Sequence, residues 1–166
     1  MTEVSYIEGS ILRDIGSYKS DLMIALQNSE EICELLFNKQ PYTSSDVKKL
    51  PYSQIFPYLY VDETQTKTKS YICVEVDIPR VPTNTIKDMR VFVWAYCHKS
   101  VMKYSKKGYT GTRADILADM IERQLRESNK FGIGKLQLQN VEHFFPSKEY
   151  YGRQMIYYMP DFKIGR

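Results

Sequence analysis

Cys97 and His98 are the first residues in this 166-residue chain whose types together suggest chemistry. A thiol becomes a good nucleophile when a nearby base takes its proton. Here the pair closes a strand-like run, "VFVWAYCH". Neighbours on a strand point to opposite faces, so these two side chains cannot form a dyad. His143, the other histidine, could serve only if the fold brought it close. A buried cysteine and a histidine at the strand rim is the simpler expectation. Glu75 and Asp77 share one strand face. That spacing suits a cation or acid–base work, and a solvated face explains it as well. "FGIG", residues 131–134, carries two glycines but follows a helix, whereas a phosphate-binding loop precedes one. Cys33, Cys73 and Cys97 lie far apart, with no ligand spacing. Neither a disulfide framework nor a zinc site is expected, and no cofactor is implied.

Beyond the Cys-His pair the chain turns basic. Lys99, Lys103, Lys106 and Lys107 are interleaved with Tyr104 and Tyr109, and Arg113 follows. Basic and aromatic residues together make up grooves for single-stranded nucleic acid. They also make up solvated loop tips, and arms that dock on a neighbouring subunit with Tyr as anchor. All three readings stay open for loop 99–111. No combination of residues carries a reaction, so the chain reads as a non-enzyme.

These residues need elements to position them. The length fits one domain, and 43% hydrophobic with 26% charged residues is ordinary for a folded chain. The net charge of +3 is too small to demand a polyanionic partner. Fourteen tyrosines favour contact surfaces or the rims of a strand-rich core. "MTEVSYIEGS" is polar and unlike a signal peptide, and the longest apolar run is far too short to span a membrane.

Residues 1–19 read as an arm or short leading turn, and residues 20–166 as a single α+β domain. Leu22, Ala25 and Leu26, then Ile32, Leu35 and Leu36, recur at helical spacing, with Ser20 and Ser29 as caps. One bent helix or two short ones would fit. Residues 41–53 have loop composition. "SQIFPYLYV" is extended, because Pro57 disfavours helix at Phe56. "DETQTKTK" reads as an exposed tip. "SYICVEVDI" alternates with period two and should bury one face. "MRVFVWAYCH" is apolar on both faces, which predicts a central strand covered on both sides. Thr112 caps a helix over 112–127, with Ala114, Leu117, Ala118, Ile121 and Leu125 inward. "KLQLQNV" alternates, Leu136 and Leu138 against Gln137 and Gln139, and "RQMIYYM" is a last strand stopped by Pro160, giving two closing strands. The order predicts an antiparallel sheet of about four or more strands with helices packed on one face.

Five stretches carry a family likeness: "SDLMIALQNSEEICELLF", "LPYSQIFPYLYVDETQTKTKSYICVEVDI", "MRVFVWAYCH", "TRADILADMIERQL" and "FGIGKLQLQNVEHFFP…YYGRQMIYYMPDF". In pattern and order the chain resembles neck proteins of tailed bacteriophages, of the tail-terminator or tail-completion type. The resemblance implies a virion protein assembled in the host cytoplasm. It would form a hexameric ring that caps the tail tube and joins it to the connector. Implied partners are copies of itself, the tail tube protein and the head–tail connector or stopper protein, with the sheath protein a further candidate. DNA would pass only through the channel, and no membrane is involved. On this reading the 60–70 and 99–111 loops reach out to neighbours, and Thr64, Thr66, Lys67, Lys103, Tyr104, Lys106, Lys107 and Tyr109 are the contact residues. A head-completion or connector protein, a nucleic-acid-binding protein and a hydrolase on Cys97 and His143 are the alternatives.

Overall fold

The computed structural model describes residues 10–126, 128, 131 and 135–162, and the first helix among the described residues begins at Arg13, inside the segment expected as an arm. Helix α1 (Arg13–Gln27) runs straight through Ser20. Tyr18 explains the early start. It is 1% exposed, its ring meets Phe131 edge-on at 5.2 Å, and its hydroxyl donates to Asp161 Oδ2 at 2.8 Å. These are contacts distant in sequence, so local spacing does not report them. Residues 1–9 of the expected arm lie outside the described residues, as do the glycines at 132 and 134.

Ser29 caps a separate second helix, α2 (Glu30–Leu36), by accepting from the Ile32 N–H. The helical run is therefore two helices and not one bent one. The segment expected as pure loop holds a short third, α3 (Ser44–Val47), where Thr43 and Asp46 satisfy each other's backbone N–H groups.

The sheet has five strands: β1 (Ile55–Phe56), β2 (Ser70–Arg80), β3 (Ile86–His98), β4 (Gln137–Ser147) and β5 (Tyr150–Phe162). Their spatial order is β1-β2-β3-β5-β4. β1 pairs parallel with β2, and the other pairs are antiparallel. The expected α+β class holds, with one short parallel strand at an edge. β5 does not stop at Pro160, which pairs with Asp88 of β3. There β5 has already passed the end of its pairing with β4, and a proline is tolerated on such an edge.

Helices α1, α2 and α4 (Arg113–Arg126) cover one face of the sheet. Leu22, Leu26, Ile32, Leu35, Leu117 and Ile121 pack on Val74, Val91, Val93 and Met155. The stripe predicted for α4 is the buried one, extended by Ile116. Its cap is reciprocal: the Thr112 N–H donates to Asp115 Oδ2 at 3.1 Å, and the Asp115 N–H to Thr112 Oγ1 at 3.3 Å.

The opposite face is covered at one end only. Phe56, Tyr71, Cys73, Tyr96 and Tyr150 form a second buried cluster beneath Tyr60 and Val61 of the loop after β1. β2 was expected to bury one face, yet Tyr71 and Cys73 on its other face are fully buried. Farther along β3, Phe92 and Trp94 stack at 5.7 Å and stay half-buried.

Candidate functional site: the two long loops and the sheet edges

Both loops predicted to reach a neighbour are anchored to the protein's own body. Asp62, 4% exposed, organises the first. Its carboxylate accepts from the N–H groups of Thr64, Thr66 and Lys67 at 3.3, 3.1 and 3.1 Å, and from the Thr64 hydroxyl at 3.0 Å. Thr64 and Thr66 also hydrogen-bond each other, at 2.8 Å. Burial pushes the Asp62 carboxyl up, but these donors outweigh it and hold it below the usual range. The loop is then fastened to the sheet. Tyr150 donates to the Lys67 carbonyl at 2.8 Å, and His98 Nε2 lies 3.2 Å from the Gln65 carbonyl.

The lysine-rich loop folds back on α2. Lys106 pairs with Glu34 at 2.9 Å, and Tyr109 donates to Glu31. Burial and that bonded carboxylate push the Tyr109 hydroxyl up to about 12. Arg113 lies 4.4 Å and Lys39 4.8 Å from the Tyr104 ring, and Arg123 lies 4.3 Å from the Tyr109 ring. A platform for stacking bases needs open ring faces; here cations cover them. Lys67, Lys103 and Lys107 remain exposed. Of the eight contact residues expected, these lysines and the two threonines reach the surface. Tyr104, Lys106 and Tyr109 are bound into the protein's own packing.

Arg113, read from sequence as one more basic residue, is 4% exposed and clamps this region. Its guanidinium donates to the carbonyls of Val101 at 2.6 Å and Leu35 at 3.1 Å, and to Asn38 Oδ1 at 2.5 Å. It sits at the C-terminal end of α2, where the carbonyl end of the helix dipole favours a cation, and shares the Leu35 carbonyl with the Asn38 N–H. Burial lowers its pKa.

The other residues considered for chemistry are not brought together. Cys97 is fully buried, and burial pushes its thiol up to about 12, the wrong direction for a nucleophile. His143 is exposed on β4, with β5 between it and β3. Glu75 pairs with Lys19 at 2.6 Å and Asp77 with Arg90 at 2.7 Å, so the two acids hold separate cations. Among the described residues, no group of three or more His, Cys, Asp or Glu side chains could hold a metal ion. Nor is any helix among them long and apolar enough to cross a membrane.

The surface that sequence reading missed is at the sheet edges. β4 was expected to alternate between a buried and an exposed face, but Gln137–His143 are exposed throughout. Leu138, Val141 and Phe145 are 39, 47 and 58% exposed. The cause is the layer above. α4 lies over β3 and β5 and stops short of β4, which leaves a groove of about 220 Å³ lined by Ala118, Leu138, Val141 and Met155. At the other end of the sheet, Tyr52 and Tyr58 are 65 and 45% exposed. They flank a hollow of about 510 Å³ against α1.

Comparison with protein families gives a match to the YomW model over residues 29–159. The chain belongs to the YomW family. That family is phage-derived, which points to a phage origin for the chain. The match runs from the cap of α2 into β5, so it includes both long loops and all of the sheet but the last three residues of β5, and leaves α1 outside. Among curated proteins and solved structures, nothing matches the chain.

Proposed function

We propose that this protein is a structural subunit of the phage particle: a ring-forming tail terminator at the head–tail junction, capping the tail tube and joining it to the connector. The observation that carries the reading is the β4 edge. An eleven-residue strand with Leu138, Val141 and Phe145 exposed is a surface in need of a partner. Natural proteins cover or charge such an edge unless something binds it. A phage-derived family and the resemblance to neck proteins give that partner a context. In a closed ring each copy would offer its edges to two neighbours.

The test is mass and morphology. Purified protein, alone and with tail tubes of the phage that encodes it, is measured by light scattering and imaged by electron microscopy. Rings of one defined size, seated at tube ends, are expected. A strict monomer at every concentration that ignores tubes would overturn the reading. Rings that bind capsid portals instead would favour a head-completion role.

A further inference from the structure

A ring of identical subunits needs two different surfaces that fit each other, because each contact is head-to-tail. The sheet order places two unlike exposed patches at opposite ends. The β4 end is aliphatic–aromatic, with Leu138, Val141 and Phe145 exposed beside the groove under α4. Its neighbouring charges lean acidic: Arg153 and Arg123 pair with Asp115 and Asp119, while Glu142 stands exposed at mid-strand. The β1 end is concave. Tyr52, Tyr58 and Met23 border the hollow beside α1, and Tyr58 packs on Phe56 at 5.8 Å. Lys19 lines the hollow and is paired with Glu75, while Lys48 and Lys49, exposed in the turn that leads into Tyr52, add basic charge and Asp46 is occupied in the cap of α3.

Tyr52 adds a second kind of observation. Its φ is 63°, in the left-handed region that a bulky side chain avoids. A bridge between Pro51 and Ile55, and a 2.8 Å bond from the Tyr52 N–H to the Ile55 carbonyl, hold it there. The result is a large ring turned out to water rather than into the core. Backbone held in such a region persists where its surroundings over-determine it, and it clusters at functional positions.

We infer that the two ends are one interface: the β4 edge of one copy seats in the α1–β1 hollow of the next. Phe145 and Val141 enter between Tyr52 and Tyr58, and Glu142 lies against Lys48 and Lys49. This rests on the ring reading above and names the surfaces that close the ring.

The experiment uses two double variants of the full chain. Val141→Glu with Phe145→Glu spoils the β4 end, and Tyr52→Glu with Tyr58→Glu spoils the β1 end. Each is checked for a cooperative melt; if either fails to fold, Val141→Ser or Tyr58→Ser replaces it. Under conditions where the wild type assembles, each variant alone should be monomeric. Their mixture should give a dimer and nothing larger, because one intact β4 end meets one intact β1 end. Assembly of either variant like wild type, or a mixture that stays monomeric, would overturn the pairing and leave the ring reading standing. A wild type that never assembles would remove both. A complex that needs a second protein at the β4 end would show that the edge has a different occupant, and would also overturn the pairing.

Discussion

Two buried or half-buried carboxylates, Asp62 and Asp115, anchor the ends of the long loops. At Asp115, as at Asp62, burial raises the carboxyl pKa, but hydrogen bonds outweigh it: the Thr112 N–H, the Arg153 guanidinium and the Thr112 hydroxyl keep it low. In the unfolded chain an aspartate takes its proton near pH 4. The stabilisation is therefore complete above that range and lost as pH falls through the lower folded value. Urea unfolding midpoints from about pH 7 down to about pH 3 should drop in the wild type. Asp115→Asn should begin lower at neutral pH and fall less steeply. Parallel slopes for the two proteins would show that Asp115 does not carry this dependence.

At the scale of elements, single positions in α4 and in the β3–β5 pair test the packing of the helix layer and of the sheet. Leu117 is fully buried on the predicted stripe of α4. Leu117→Ala should cost about 2–5 kcal/mol, through lost burial plus the cavity left behind. Gly152 is a second pressure point. A Cβ there would stand 1.9 Å from the Ala95 carbonyl oxygen and 2.5 Å from Tyr96 Cα, so the two strands would have to separate. Gly152→Ala should cost about 3 kcal/mol or more, although it adds one methyl group. Denaturant titrations of the two variants check both figures; a near-neutral Gly152→Ala would mean that the strands pair less closely there.

At the scale of the whole molecule, one buried ion cluster ties α1 to the far end of the sheet. Lys87, fully buried, pairs with Asp14 at 2.7 Å and lies 3.6 Å from Asp161, which also accepts from Tyr18. Lys87→Ala should cost about 3–5 kcal/mol, because it leaves the fully buried Asp161 carboxylate without its cation. Removing residues 1–19, the segment expected as an arm, should likewise lower the thermal midpoint. A truncated chain that melts like the full one would restore the arm boundary at residue 19.

Period-two and period-3.6 patterning determined the helix Arg113–Arg126, the paired strands around 70–98 and the α+β class, because burying one face leaves a local, repeating mark. Caps were legible too: Ser29 and Thr112 act as their positions suggested. Tertiary structure alone decided what depended on the neighbours each element meets. Tyr104, Lys106 and Tyr109 look like a free basic loop in sequence and are claimed by Glu31, Glu34 and two guanidiniums in space. β4 reads as a half-buried strand and stands uncovered, because the length and placement of α4 are not written in β4 itself. Composition along a chain states what a segment could bury; which surfaces remain for another molecule is settled only when the elements have packed.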